Sequence, residues 1–177
     1  MAGAEVPAAR LTLEEVYRQH FNFVYRKAMR LGGPGFDAED AAQEVFMVVA
    51  RKLDSFDGSA ALTTWLYGIT LNVVRAARRR AAIRRRLLSW HAPEGEAVVR
   101  EPDRVEVTQA QRIAYEILDR LGARHREVFV LFEFEGLSCE EIGRLVGART
   151  ETVWSRLHYA RKEFAARLEK RKLGEIR

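Results

Sequence analysis

Apolar residues return every third or fourth position along most of the chain, the pattern of an all-α protein. In the first such stretch Val16, Phe23, Val24 and Lys27 mark the turns of a helix from Leu13 to about Leu31, and Tyr17, Phe21 and Ala28 widen its apolar face. Thr12 and Glu15 have the spacing of a capping box, and Leu31-Gly-Gly-Pro-Gly35 stops the helix. Asp37 then caps a second helix to about Leu53, with Ala41, Val45, Val48, Val49 and Leu53 inward. A polar loop, Asp54 to Thr63, leads to a third helix from Thr64 to Arg80, with Leu66, Ile69, Val73 and Ala77 as its apolar stripe. From about Leu87 to Thr108 the period fades among Pro93, Gly95, Pro102 and five acids. A structureless stretch of roughly 20 residues argues for a linker between two domains. Residues 1–10 read as a frayed tail.

The second half is helical again. Ala110, Ile113, Ala114, Ile117, Leu118 and Leu121 form one amphipathic helix, and Arg124 to about Phe134 a largely buried one. Ser138 with Glu141 is a capping box opening a short helix that Gly147 ends. Thr150 caps a long last helix with Val153, Leu157, Ala160, Phe164 and Leu168 on one side. A short helix, a turn containing Gly and a longer helix form the helix-turn-helix pattern. The expected fold is therefore all-α: two small helical domains joined by a flexible linker, the C-terminal one containing a helix-turn-helix.

The polar faces carry the chemistry. In the second helix Asp40, Gln43, Glu44 and Met47 share one outer face, acidic with an exposed Met, which suits a protein partner. In the third, Trp65, Gly68, Asn72, Arg75 and Arg79 fall on one stripe. A flat ring, an amide and guanidinium groups in a row can stack on bases, read an edge and hold phosphates. The same spacing also fits a half-buried Trp beside a solvated basic face. In the last helix Glu151, Trp154, Ser155 and His158 face away from the core, with Arg149 before them and Arg156, Tyr159, Arg161 and Lys162 around them. These residue types reach base edges and phosphates.

Charge sharpens this picture. The 177 residues carry a formal net charge of +5, and the pI of about 9.6 suits a polyanionic partner. Arg75, Arg78, Arg79, Arg80, Arg84, Arg85 and Arg86 lie in one span without an acid. The one cysteine, Cys139, leaves no metal-type Cys spacing, and the four histidines are scattered. No nucleophile motif or phosphate-cradling Gly loop appears, so neither catalysis, metal nor cofactor is expected. Cys139 reads as incidental; only an exposed thiol there would be a redox candidate. The N-terminus lacks a signal-peptide core and no apolar run reaches a membrane span, so a cytoplasmic location is the default.

The segment GLSCEEIGRLVGARTETVWSRLHYARKEF resembles the promoter −35 reading motif of bacterial sigma factors. DAEDAAQEVFMVVARKLDSF followed by TWLYGITLNVVRAARRR resembles their second conserved region. With only these two regions, the chain is similar to the extracytoplasmic-function subgroup. The resemblance implies a region 2 domain over 11–86, a linker over 87–108 and a region 4 domain over 109–172. It implies that Asp40, Gln43, Glu44 and Met47 dock on the clamp coiled coil of core RNA polymerase, and that the polymerase flap is a further contact. Phe56 and Asn72 match positions that hold an unstacked −10 base, Trp65 the start of the duplex-melting wedge, and Arg75, Arg78 and Arg79 phosphate contacts. Arg149, Glu151, Trp154, Ser155, Arg156, His158, Tyr159 and Arg161 would serve the −35 element. An anti-sigma protein, in this subgroup often membrane-bound, is a further implied partner besides promoter DNA.

Three departures stand out. Trp65 is followed by Leu66 where larger relatives have a second aromatic, which implies weaker melting and a stricter −10 requirement. Asp57 stands where many relatives are basic. Trp154 replaces the usual Lys or Arg and cannot make the bidentate contact to guanine. A stand-alone helix-turn-helix regulator would explain residues 108–172 but leave the first three helices idle.

Overall fold

The computed structural model describes residues 11–88 and 108–175. Among these residues the chain forms seven α-helices and no strand: α1 Leu13–Gly32, α2 Ala38–Lys52, α3 Leu62–Leu88, α4 Gln109–Leu118, α5 Ala123–Phe129, α6 Cys139–Val146 and α7 Thr150–Glu175. The chain divides into two compact units, one of residues 1–28 and 37–94, the other of residues 29–36 and 95–177.

In the first unit the expected caps are in place. Thr12 and Glu15 satisfy each other's backbone N–H groups, and Asp37 accepts the N–H of Asp40 at 2.9 Å. Val16, Val24 and Ala28 of α1 and Ala38, Ala41, Ala42, Val45, Phe46 and Val49 of α2 are buried, and the Phe46 ring meets Tyr17 and Phe21 of α1 at 4.8 and 6.2 Å. Lys27, a charge on the apolar stripe of α1, lies over the Phe23 and Tyr67 rings at 5.5 and 5.3 Å. Helix α3 is buried far more widely than one stripe. Leu66, Tyr67, Ile69, Thr70, Leu71, Val73 and Val74 are all buried, and the Thr70 hydroxyl donates back to the Leu66 carbonyl at 2.8 Å. Side chains on nearly consecutive positions are covered because α3 is enclosed on more than one side. Between Thr64 and Arg80 the exposed residues are Thr64, Asn72, Arg79 and Arg80, with Trp65, Gly68, Arg75, Ala76, Ala77 and Arg78 half-buried. The helix also begins earlier and runs further than its periodicity suggested. Leu87 and Leu88, expected in the linker, are its last residues. Arginine is a good helix former, so an exposed basic run extends a helix whose apolar period has ended. The rest of the expected linker, and the expected N-terminal tail, lie outside the described residues.

In the second unit Ile117, Leu118, Leu121, Val128, Phe129, Val130, Leu131, Ile142, Val153, Leu157 and Ala160 make the core. Thr108 and Gln111 form a capping box on α4 that the sequence reading did not identify. Within this unit Arg126, only 6% exposed, donates from Nη1 and Nη2 to the Leu31 and Gly32 carbonyls at 2.8 and 3.1 Å. Its Nε donates to Asp119 at 3.3 Å. These bonds satisfy a buried guanidinium that would otherwise be costly. Helix α5 does not run on to Phe134 as an α-helix. Val130–Phe134 is a π-helical turn, with the Glu135 N–H bonded to the Val130 carbonyl at 3.1 Å. The wider turn resets the direction of Phe132 and Glu133 relative to α5.

Candidate nucleic-acid interfaces

Two surfaces gather the residues singled out in the sequence. The first lies on α3 and the loop before it. Leu53–Ser55 forms a 3-10 turn, after which the Phe56 N–H bonds to the Leu53 carbonyl at 3.0 Å. Phe56 and Trp65 meet with ring centroids 5.1 Å apart, tilted by 45°. Both are half-buried. Trp65 is thus neither core nor free: one part of the indole rests on Phe56 and another faces outward. Asn72 is exposed two turns on, and its Oδ1 accepts from Arg75 Nη1 at 3.2 Å. Arg75 and Arg78 are half-buried and Arg79 is exposed. Asp57 accepts the Ser59 N–H at 2.9 Å, and bonds to the Ser59 side chain and then its backbone hold this carboxyl below its ordinary range. It closes the turn, with Gly58 at φ 71° beside it, where the resemblance had suggested a basic residue.

On the outer face of α2, Asp40 and Gln43 are exposed and Met47 is 62% exposed. Glu44 is not a free acid. Its Oε2 lies 2.8 Å from Arg80 Nη2, tying α2 to α3. Periodicity within one helix cannot show such a bridge, because its partner is 36 residues away.

The second surface is the helix-turn-helix of α6 and α7. Ser138 and Glu141 form the capping box, and Gly147 ends α6 at φ 66° and ψ 41°, a conformation that favours Gly. Gly143 is equally constrained, for a different reason. A Cβ there would lie 2.8 Å from the Ala148 carbonyl oxygen, so the turn closes only over a residue without a side chain. Cys139, 2% exposed, is part of the core. Burial pushes its thiol up, with Glu140 adding to the shift and Arg161 opposing it, the wrong direction for a reactive thiolate.

On α7, Glu151, Trp154, Ser155 and His158 are exposed on one face, with Arg149 exposed just before the helix. Helix α7 starts at Thr150 itself, one residue before the sequence placed it. The Ser155 hydroxyl donates to the Glu151 carbonyl at 3.0 Å, leaving its lone pairs outward. Tyr159 is 58% exposed, with His125 stacked at 6.3 Å and His158 edge-on at 5.5 Å. Of the residues expected around this face, Arg156 is half-buried and, at 3.6 residues per turn, lies about 200° round the helix from Trp154. Arg161 is held at 2.6 Å by Glu133 and lies over the Phe132 ring at 4.9 Å. Phe132 in turn sits 6.4 Å from Trp154. The sequence reading missed Phe132 and Glu133; the π-helical turn that aims them has no local signature.

Among the described residues no group of His, Cys, Asp or Glu could hold a metal ion, and no helix is long and apolar enough to cross a membrane.

The three helices with their loop aromatic, and the helix-turn-helix that follows along the chain, fall in two stretches that known family models match. Residues 16–84 match the family model Sigma-70 region 2, and residues 111–164 match Sigma-70, region 4. The chain is 30% identical over 178 residues to the ECF RNA polymerase sigma factor SigL of Mycobacterium tuberculosis, covering 100% of this chain and 98% of that protein. It is 36% identical over 169 residues to the ECF RNA polymerase sigma factor SigE of Mycolicibacterium smegmatis, covering 92% of this chain and 64% of the relative, so it spans less than two thirds of that protein's length. Among solved structures, the complex of the sigma factor RpoE with the anti-sigma factor NepR from Bartonella quintana shares the fold. Its TM-score is 0.65 at 24% identity, with 88% of this chain and 96% of that one covered. The chain belongs to the extracytoplasmic-function family of RNA polymerase sigma factors. These matches lend no support to a stand-alone regulator.

Proposed function

We propose that this chain joins core RNA polymerase and directs it to promoters through two separate DNA surfaces. Residues 11–86 form the polymerase-docking and −10 domain, 87–108 the connection and 109–172 the −35 domain. Asp40, Gln43, Glu44 and Met47 form the face that docks on the clamp coiled coil, and a contact to the flap adds to it. Phe56 and Asn72 hold an opened base of the −10 strand and Trp65 starts the wedge that opens the duplex, with Arg75, Arg78 and Arg79 along the phosphates. Unstacking a base step costs a few kcal/mol; stacking on an aromatic returns about 1–3 kcal/mol per base, so the two nearly balance and the phosphate contacts decide. In the −35 major groove Trp154, Ser155 and His158 face base edges, flanked by Arg149, Glu151 and Tyr159.

The role is delivery; the chain contributes no catalytic group and acts in the cytoplasm, where polymerase and chromosome meet. An anti-sigma protein holds the free chain by covering the surfaces that polymerase needs. The observation carrying this reading is the half-free Trp65, in line with exposed Asn72 on an arginine-edged helix, in a chain that also carries a helix-turn-helix. The test is reconstitution: core polymerase, this chain and genomic fragments, with transcript starts mapped. Starts clustered behind one shared pair of elements are expected; starts no different from those of core alone would end the reading.

A further inference from the structure

A tryptophan left 53% exposed in the first turns of a recognition helix needs a reason. Its surroundings show that it is propped rather than stray. Trp154 and Arg161 are seven residues apart, so they lie on one line along α7, and Phe132 from the π-helical turn meets both. The indole sits 6.4 Å from Phe132 at an interplanar angle of 54°. Arg161 lies over the same phenyl ring at 4.9 Å and is fixed by Glu133 at 2.6 Å. Glu133, Arg161 and Phe132 thus build a support whose outermost member is an apolar ring. In doing so they pair a half-exposed guanidinium with Glu133 and set an apolar ring beside it.

An indole has one N–H donor and no acceptor, so it cannot read a base pair by paired hydrogen bonds. The only apolar group a base pair offers in the major groove is the thymine C5-methyl. We infer that Trp154 makes the −35 helix of this chain a reader of a thymine methyl group, with Phe132, Arg161 and Glu133 as its positioning residues. This rests on the −35 assignment of α7 proposed above.

The test uses full-length chain with core polymerase. A preferred −35 element is selected from a randomised duplex, then remade with uracil for each thymine in turn, a change that deletes one methyl and leaves every hydrogen-bonding group. One position should lose about 4-fold in affinity, the worth of burying one methyl-sized group, and the others almost nothing. Trp154→Ala should bind thymine and uracil duplexes equally there. Phe132→Leu, which keeps an apolar side chain at a half-buried position but removes the ring platform, should shrink the discrimination while leaving the melting temperature near that of the parent. Equal binding of thymine and uracil at every position of an element the chain does select overturns the methyl reading alone, as does a selected element without thymine. Failure to select any −35 sequence overturns the assignment of α7 with it.

Discussion

Trp65 and Trp154 stand on the two proposed DNA surfaces of the molecule, and their settings are opposite. Trp65 is half-buried and leans on Phe56 at 5.1 Å, in the loop before its own helix. Trp154 is mostly outside, its nearest ring 6.4 Å away on another helix. A ring shared with a loop can exchange its loop contact for a base when the strand opens. A ring propped from behind can present itself to a closed duplex without moving. The same residue type is thus placed for two tasks by what stands next to it.

The largest expected effect separates the two surfaces outright. Gly143→Ala forces a Cβ against the Ala148 carbonyl and should cost the second unit about 1–3 kcal/mol as an overpacked turn. In thermal unfolding combined with duplex binding, −35 dependence should disappear while binding of single-stranded −10 DNA by the holoenzyme persists. Loss of both together would mean that the surfaces are not independent.

The −10 surface can be probed from the DNA side. Leu66 is 0% exposed, so the position after Trp65 offers nothing to the strand and one aromatic stands at the edge. Single −10 base changes should therefore each lower run-off transcription strongly, by about 5-fold or more, in line with 1–3 kcal/mol per mismatched position. Broad tolerance would contradict a lone-wedge account.

Loss of the proposed docking face should affect both surfaces alike and not distinguish them. Glu44→Lys breaks the bridge to Arg80, a half-exposed pair worth only about 0–1 kcal/mol to the fold. It cancels the charge of the α2 face, setting a cation beside Asp40. Affinity for core polymerase should fall by about tenfold with the helical content unchanged, as a titration with labelled core would show. Unchanged affinity would take Glu44 out of the docking face.

The smallest effect is shared by both surfaces. The Glu141 carboxyl is held below its ordinary 4.5, first by the Ser138 backbone N–H and then by its hydroxyl. Asp57 is held below 3.8 by Ser59. For a carboxylate with a depressed native pKa, the stabilisation is present above the unfolded value and is lost as pH falls through the folded one. The cap of α6 and the turn before Trp65 should therefore both loosen on the acid side of about pH 4 and be indifferent to pH near neutrality. Hydrogen exchange at the Ser138 and Ser59 amides would report this. Loosening on the alkaline side would contradict it.

Most helices and their caps were legible because they are local. Thr12 with Glu15, Asp37 with Asp40, Ser138 with Glu141 and Gly147 are each set by residues within a turn or two. The stripe on α3 was legible as well, though for a reason the spacing did not give: it is what remains after neighbouring helices cover the rest. What escaped depends on partners far along the chain. Glu44 meets Arg80 across two helices, Arg126 finds the Leu31 and Gly32 carbonyls, and Phe132 reaches Trp154 through a π-helical turn. Gly143 escaped because a missing Cβ shows its purpose only when another backbone approaches. The end of α3 was misplaced because arginines carry helical propensity without helical hydrophobic period.

The most direct test compares Trp65→Ala and Trp154→Ala in run-off transcription on one promoter, supplied closed and with the −10 region already opened by mismatch. If Trp65 serves the opening of the −10 duplex and Trp154 the closed −35 duplex, the opened template should restore most of the Trp65→Ala defect and none of the Trp154→Ala defect. Equal rescue of both, or of neither, would contradict the division of labour between the two rings.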